Sequence, residues 1–408
     1  MNTNFDNLIN SFTFENYYSK EDVGYRLPND LSLETFWQSL SQSRKQKSQV
    51  FSFTDQNKDL FWYLLTPALQ KKIYKIDSQG KDSLYRMVKK EIEVELLKDS
   101  LLEEALYSSV IEGAFSTYKR LKELVDDKAP PADINDQMVL NNYEAMQFIL
   151  KEKHRDLTLD FVLELHKIVT QKTLGPDEAY AGRFRDDWVY IKDKRDRVIY
   201  TPPPADQVVA SIEQLIAWVN ARDESTFIHP IVKASFIHFY LVYVHPFFDG
   251  NGRTARALFY YYLIKNGYEF FKYFSISVVV QKTKAQYYRA IKDVEDCGAD
   301  MTYFLLYMAQ TINDSIGLVT DRIVKHYKKD FILDKLKEKG EFLNPRQEKF
   351  LKKFLVSDKG LMTIKDYQRV TGVVYETARV DLEDLALRNI LIKTKERRKF
   401  IYQPNYEF

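Results

Sequence analysis

The chain of 408 residues is long enough for two or three domains, and its 60 Lys and Arg residues nearly balance its 58 Asp and Glu residues. This near-neutral charge indicates no general affinity for nucleic acids or other polyanions. The single cysteine, Cys297, excludes an internal disulfide, and no apolar run reaches the length of a membrane span or follows a basic leader, so we expect a cytoplasmic protein without membrane contact.

The N-terminal segment, residues 1–82, mixes aromatic and polar residues and ends at the turn-forming sequence DSQGKD. We interpret this segment as a separate module. A helix is predicted next, over residues 83–113, because apolar residues such as Ile92 and Leu97 recur near the helical period. Gly113 is expected to end this helix.

The middle of the chain is predicted to form one large helical domain with little β-structure. Apolar residues recur at three- and four-residue spacing, and only 13 Gly and 12 Pro interrupt the whole sequence. Residues 188–200 instead alternate between apolar and polar on both sides of a charged turn, and three prolines follow, which indicates a β-hairpin. The predicted helices lie at about 136–152, 158–172, 205–222, 230–244, 252–266, 283–297 and 300–328.

The C-terminal segment, residues 343–408, predicts short amphipathic helices followed by two β-type runs around the basic turn KTKERRK. This order, with Gly372 in the turn between two helices, is typical of a winged helix-turn-helix. A recognition helix that faces phosphates should be basic, but this one is predominantly acidic, so we favour a protein-contact or architectural role over DNA binding. Its charged residues are Glu376, Asp381, Glu383 and Asp384 against Arg379 and Arg388.

The run HPFFDGNGRTAR, residues 245–256, carries the strongest chemical signal in the chain. Gly250 and Gly252 flank Asn251 just before a predicted helix. Backbone N–H groups at such a position, together with the positive end of the helix dipole, attract an anion. We therefore interpret the loop as a phosphate-binding site.

The charged residues of the same run extend this interpretation. Arg253 and Arg256 are three residues apart and share a helix face, where two guanidinium groups could hold neighbouring phosphates. Asp249 offers a hard oxygen ligand for Mg²⁺, and His245 titrates near neutrality and could take a proton from an attacking hydroxyl. Together the residues predict a metal-assisted phosphoryl-type transfer. The histidines outside this run, including His166, are interpreted as structural.

In this order the residues match the pattern HPFx[D/E]GNGRxxR at every defined position, so the chain resembles the Fic/Doc family. The resemblance implies a Fic-type helical core over residues 83–330 with a small hairpin flap at about 188–200. The stretch GRFR at 182–185 is similar to the one that precedes the family's flap. The flap would bind an extended segment of a target protein by strand addition.

The implied activity is that of a protein adenylyltransferase, which moves AMP from ATP to a Ser, Thr or Tyr hydroxyl of a target protein and releases pyrophosphate. His245 would be the general base, Asp249 the ligand of Mg²⁺, and Phe247 the anchor of the loop. Tyr287 and Tyr288 resemble a tyrosine pair near the family's adenine pocket. The phosphate-binding residues that the resemblance implies are Gly250, Asn251, Gly252, Arg253 and Arg256.

A built-in inhibitor is implied by residues 108–113, within a helix expected at about 100–113. Ser108, Glu112 and Gly113 fit the family's inhibitory pattern [S/T]xxxE[G/N]. The resemblance implies that Glu112 pairs with Arg256 and occupies the space that the γ-phosphate of ATP needs. A carboxylate on this guanidinium would compete directly with phosphate.

Two alternatives stay open. The same fold could use another nucleotide or remove AMP from modified targets, and a protein of another class would be a DNA-binding regulator with a sensing Fic core. Self-modification and homodimer formation also stay open. The complete set of reactive residues in the motif favours catalysis.

Overall fold

The computed structural model describes residues 3–192, 195–221, 227–357, 359–396 and 399–407. It is mainly α-helical, as predicted, and the described strands form two-stranded antiparallel sheets. The chain divides into two compact units, Met1–Ile316 and Gly317–Phe408. No helix among the described residues is long and apolar enough to cross a membrane.

The first unit contains most of the helices and two hairpins. The helices that precede the motif are α1 (Thr3–Asn10), α2 (Lys20–Gly24), α3 (Leu33–Gln46), α4 (Pro67–Ile76), α5 (Tyr85–Met87), α6 (Lys90–Ile111), α7 (Tyr118–Asp126), α8 (Ile134–Lys151), α9 (Leu159–Thr170), α10 (Val208–Asn220) and α11 (Pro230–Val244). Those that follow are α12 (Asn251–Lys265), α13 (Ser277–Lys282), α14 (Lys284–Asp296) and α15 (Thr302–Glu338), which ends in the second unit. The strands are β1 (Gln49–Thr54), β2 (Leu60–Tyr63), β3 (Ile191–Lys192) and β4 (Val198–Tyr200).

Helices α11 and α12 form the centre of the first unit and lead into and out of the motif loop. Both are buried on nearly all sides. Their apolar residues surround the helix axis rather than one stripe, which is the pattern of a helix enclosed by others. Pro230 begins α11, where its missing N–H removes no helical hydrogen bond. The bounds of α11 are those predicted, and α12 is displaced by a single residue.

The N-terminal hairpin packs directly on this central layer. Strand β1 pairs with β2, and Phe51 and Phe53 point from β1 into the core. The Phe51 ring stacks on Phe236 of α11 with 4.1 Å between ring centroids. Residues 3–82 therefore belong to the same compact unit as the helices that follow, while their assignment as a separate module stays a prediction.

The prediction of a turn at residues 77–82 was wrong. Asp77–Leu84 is π-helical and continues α4. Gly80 lies so close to Phe270 that a Cβ would come within 2.2 Å of the ring, and Asp77 accepts a hydrogen bond of 2.8 Å from the Tyr268 hydroxyl. These tertiary contacts override the turn preference of the local sequence.

The prediction of a single helix over 83–113 was also wrong at the start of that range. Val88 is extended, with φ −78° and ψ 100°, and separates the short α5 from α6. Helix α6 itself ends at Ile111, close to the predicted end at Gly113. Helices α7 and α13 were not predicted, and α15 continues ten residues beyond its predicted end at 328.

The second unit has the order of elements expected of a winged helix-turn-helix. Its apolar core includes Phe350, Tyr367, Leu382 and Tyr402. Gly372 follows the second helix with φ 78°, as the predicted turn requires. The tip of the wing, residues 397 and 398, lies outside the described residues. Its elements after α15 are α16 (Pro345–Phe354), α17 (Ile364–Thr371), α18 (Tyr375–Leu387), β5 (Leu391–Glu396) and β6 (Lys399–Pro404).

Candidate active site

The motif loop begins at His245, which leaves α11 in the left-handed backbone region with φ 49° and ψ 60°. This conformation costs a non-glycine residue about 1–2 kcal/mol, so the surrounding structure must hold it. Arg185 does so: its Nε donates to the His245 carbonyl at 2.8 Å, and its backbone N–H donates to the Pro246 carbonyl at 2.9 Å. The same guanidinium reaches the carbonyl of Pro203 at 2.5 Å. Arg185 thus connects the loop to the segment that follows the 188–200 hairpin.

The middle of the loop is anchored through Phe247, as the resemblance implied. The fully buried Phe247 ring stacks on His166, with 3.6 Å between centroids, and on Phe184 at 5.3 Å. His166 accepts a hydrogen bond from the Gly182 N–H at Nδ1, so Nε2 must carry the proton that it shares with the Asp249 carbonyl at 2.9 Å. Burial lowers the pKa of His166 to about 4, which keeps the ring neutral. The histidine is structural, as predicted, and it also positions the loop.

The Asn251 side chain closes the loop on itself. Its Oδ1 accepts from the Phe247 N–H at 3.0 Å, and its Nδ2 donates to the Phe247 carbonyl at 2.8 Å. The carboxamide is therefore engaged within the loop. The first turn of α12, preceded by Gly250 with φ 80°, has no side-chain cap, and the Gly250 N–H donates to Asp249 Oδ1 at 2.5 Å. The contact of Gly250, Asn251 and Gly252 with phosphate stays a prediction.

The His245 imidazole is held in one tautomer. Its Nδ1 lies 3.2 Å from the Val242 carbonyl, and because a carbonyl only accepts, this nitrogen carries the proton. The lone pair is left on Nε2. Burial lowers the pKa of His245 to about 4, so the ring is neutral at pH 7 and can accept a proton.

A buried arginine, Arg253, pairs with the exposed Asp249 at the site. The Arg253 guanidinium is fully buried and donates to the Val169 carbonyl at 3.0 Å and to Asp249 Oδ2 at 3.3 Å. Its Nε has no partner among the described residues. The Asp249 side chain is 57% exposed, so a carboxylate faces solvent directly beside the start of α12.

Arg256 is occupied by α6. Its Nε donates to Ser108 Oγ at 2.7 Å, and its Nη2 donates to the Ser108 carbonyl at 2.9 Å and to Glu112 Oε1 at 2.7 Å. Burial is the largest influence and alone would lower the pKa of Arg256, but the charge and hydrogen bond of Glu112, together with the charges of Tyr287 and Glu104, raise the pKa overall. The ion pair implied between Glu112 and Arg256 is present.

Glu112 also lies directly over Gly252. A Cβ at position 252 would come within 2.1 Å of Glu112 Oε1. The carboxylate therefore occupies the surface at the N-terminus of α12 where a phosphate would meet the backbone. Gly113, with φ 100°, follows Glu112 and lets the chain turn away from the site.

The two tyrosines proposed for a base pocket face different surroundings. Tyr287 is buried, and its hydroxyl lies 2.9 Å from Nε2 of His238 within the core. Tyr288 is 48% exposed. Burial raises the pKa of Tyr288, and the charge of Glu112 raises it further. Only Tyr288 thus offers a surface to a nucleotide base.

Residues 156–263 match the model of the Fic/DOC family. The chain carries a Fic/DOC family domain. The matched range includes His245, Arg253 and Arg256 and also His166 and Arg185, so both positioning residues lie within the Fic domain. Glu112 and the two tyrosines lie outside it.

Relatives of this Fic domain carry the name protein adenylyltransferase. The Fic-1 protein of Caenorhabditis elegans is 34% identical over 170 residues, which are 41% of this chain and 30% of the relative. The Fic protein of Nematostella vectensis is 30% identical over 179 residues, 42% of this chain and 39% of the relative. The chain thus spans well under half the length of these curated relatives.

The fold is shared with solved structures over most of the chain. The crystal structure of a Fic family protein from Desulfovibrio desulfuricans G20 superposes with a TM-score of 0.54 at 19% identity and covers 84% of this chain and 97% of its own. This likeness confirms the predicted Fic-type fold.

Proposed function

We propose that the chain is a protein adenylyltransferase that transfers AMP from ATP to a Ser, Thr or Tyr hydroxyl of a target protein and is restrained by Glu112. The observation that carries the proposal is the contact of Glu112 with both Arg256 and Gly252 at the start of α12. A carboxylate at this position indicates an anion site, and the neighbouring His245 supplies a base. The names of the relatives support AMP as the transferred group.

In the proposed reaction, a target hydroxyl oxygen attacks the α-phosphorus of ATP. His245 Nε2 takes the hydroxyl proton, the new P–O bond forms, and the bond between the α-phosphorus and the bridging oxygen breaks, so that pyrophosphate leaves. Arg253 and Arg256 would bind the β- and γ-phosphates and stabilise the charge that develops on pyrophosphate. The target would lie along the 188–200 hairpin, whose strands β3 and β4 are antiparallel.

Mg²⁺ fits the site through Asp249. The described residues contain no group of three or more carboxylate, histidine or cysteine side chains that could hold a metal alone. Mg²⁺ commonly binds one carboxylate together with substrate phosphates and water, and the exposed Asp249 beside the phosphate site offers that single carboxylate. When bound, the ion would neutralise charge on the phosphates.

The test compares wild type, Glu112→Gly and Glu112→Gly/His245→Ala. It measures the transfer of label from α-labelled ATP, in the presence of Mg²⁺, to each protein itself and to proteins of a cell lysate. Glu112→Gly should raise labelling at least about tenfold, because a charge-assisted hydrogen bond contributes about 1.5–3 kcal/mol. Adding His245→Ala to this variant should lower labelling about 10²–10⁴-fold through loss of the general base.

Two other outcomes would redirect the assignment. Labelling of Glu112→Gly by another nucleotide but not by ATP would move the proposal to another donor. If no nucleotide labels this variant, the result would contradict transferase activity and favour the alternative of a DNA-binding regulator with a sensing Fic core.

Removal of AMP is a second candidate, because Glu112 also acts on His245. The Glu112 charge raises the pKa of His245 against the larger lowering by burial, and Glu112 lies over Gly252 of the motif that also contains His245. Such a pair could orient a water molecule toward an AMP ester. Release of AMP from a labelled target by wild type but not by Glu112→Gly would support this activity.

A further inference from the structure

Glu104 is a buried carboxylate on α6 that lies outside the inhibitory pattern. Its side chain is 2% exposed, yet it makes no ion pair with a basic side chain among those identified in the described residues. It accepts hydrogen bonds instead from Tyr260 Oη at 2.9 Å, Ser275 Oγ at 2.7 Å, Ser277 N–H at 3.1 Å and Ser277 Oγ at 2.5 Å. Three of these donors meet at Oε2 and the fourth, the Ser277 hydroxyl, at Oε1.

These donors come from elements on the catalytic side of α6. Tyr260 belongs to α12, the helix that also carries Arg256, and Ser277 begins α13. Glu104 therefore connects α6 to α12. Glu112 contacts the same helix nearer its N-terminus, at Arg256. The Ser277 N–H lies in the first turn of α13, where a negative charge is favoured.

The register of α6 links this contact to inhibition. Glu104, Ser108 and Glu112 are spaced by four residues and lie along one face of the helix. Ser108 and Glu112 hold Arg256, and Glu104 holds Tyr260, which follows Arg256 by four residues on α12. Facing rows on two helices are thus joined at successive turns. A shift of α6 along this row would break the Glu104 contacts and the Arg256 contacts together.

We propose that Glu104 is a positioning residue of the inhibitor, which fixes the register of α6 on α12 so that the Glu112 carboxylate stays on Arg256. The proposal rests on the proposed function, because it concerns the regulation of the same site. Glu104 would not touch ATP or the target. Its effect on transfer would pass through the Glu112–Arg256 pair.

The experiment measures labelling from α-labelled ATP in full-length Glu104→Gln, Glu112→Gly and the double variant. Glutamine keeps the shape of the side chain but removes its negative charge and replaces one of its two acceptor oxygens with an NH₂ donor. Glu104→Gln should raise labelling about tenfold above wild type through a weakened hold on Arg256. The double variant should label no more than Glu112→Gly, because the effect of Glu104 requires Glu112.

The matched control is Glu95→Gln, the same change at an exposed position of α6, which should leave labelling unchanged. Ser277→Ala, which removes one hydroxyl donor and leaves α6 untouched, should raise labelling in the same direction by a smaller factor. Hydrogen exchange of residues 105–113 gives a readout that does not depend on activity. It should become faster in Glu104→Gln than in Glu95→Gln.

Three results would overturn the proposal. One is unchanged labelling and unchanged exchange in Glu104→Gln when Glu112→Gly responds. Another is an increase in labelling of equal size with and without Glu112, which would show an effect outside the inhibitor. If Glu112→Gly itself is silent, the proposed function fails, and the exchange of residues 105–113 then decides alone whether Glu104 positions the helix.

Discussion

At the scale of single residues, His245 combines a constrained backbone with a reactive ring. The left-handed backbone of His245 ends α11, and the Val242 carbonyl selects the tautomer with a free Nε2. Arg185 supplies the hydrogen bonds that keep this geometry. A general base is most useful when it is unprotonated at the working pH, and burial ensures this for His245.

The pH profile of transfer follows from this shift. Because the pKa of His245 is lowered to about 4, the base stays neutral from pH 8 down to about pH 5 and becomes protonated, and inactive, as the pH falls through about 4. We expect kcat/KM of Glu112→Gly to be flat over the upper range and to fall only at the acidic end. Removal of Glu112 takes away a charge that raises the pKa of His245, so this variant should not shift the fall upward.

The measurement is the initial rate of labelling at low ATP concentration, with unfolding followed at each pH by circular dichroism. A midpoint near 6.5, the value of an exposed histidine, would contradict the burial argument.

The sequence predicted those site residues that are neighbours in one run. His245, Asp249, Arg253 and Arg256 could be assigned because their spacing on a loop and a helix restricts where they lie. Arg185 and His166 reach the loop from other segments, and no local spacing reveals that. The engagement of the Asn251 carboxamide on Phe247 was not predictable either, since the same side chain could equally face a ligand.

At the scale of elements, the β1–β2 hairpin contributes to the central layer and is not an appendage. Phe51, Phe53 and Phe61 are each about 1% exposed and contact aromatic rings of α11. Aromatic side chains of this size contribute strongly to stability when they are buried. The hairpin should therefore unfold together with the helices that carry the motif.

Replacing Phe51 by alanine tests this packing. Loss of a buried Phe leaves a cavity and costs about 3–5 kcal/mol of unfolding free energy. We expect the midpoint of urea unfolding, read from helical circular dichroism, to fall accordingly. Val50→Ala on the same strand is the matched control, because Val50 is 55% exposed. Equal effects of the two changes would mean that the hairpin is not part of the cooperative core.

Elements with a strong helical pattern were predicted within a few residues, as α11 and α12 show. The segment 77–82 was not, because a Gly-containing polar stretch favours a turn in isolation. Its π-helical form depends on Gly80 packing against Phe270, a residue 190 positions away. A contact so distant in sequence leaves no local signal.

At the scale of the whole molecule, the winged helix-turn-helix unit is the part whose role is least tied to the Fic domain. Its α18 helix presents paired charges: Arg379 donates to Glu376 at 2.9 Å and to Glu383 at 2.8 Å. Lys393 of β5 also pairs with Glu383. Basic side chains engaged in this way are poorly disposed to bind phosphates.

We expect no salt-dependent binding of the full chain to duplex DNA, measured by fluorescence anisotropy at low and physiological salt. Non-specific DNA binders show Kd values of about 10⁻⁴–10⁻⁶ M that weaken steeply with salt. The double variant Glu376→Gln/Glu383→Gln frees Arg379 and should gain weak, salt-sensitive binding. Tight binding of DNA by wild type, with a steep salt dependence, would support the alternative that the chain is a DNA-binding regulator.

Because Glu112 and the α12 N-terminus that it occupies belong to one chain, the proposed inhibition should not depend on the concentration of the protein. Under the proposed function, Glu112 would act as a competitor tethered to its own binding site, with an effective concentration set by the geometry of α6. Dilution lowers the concentration of ATP and of the target but leaves that of Glu112 unchanged. The fraction of molecules in which the carboxylate blocks Arg256 should therefore be the same at any copy number of the protein. A separate inhibitor chain, in contrast, would have to be produced in proportion to the enzyme.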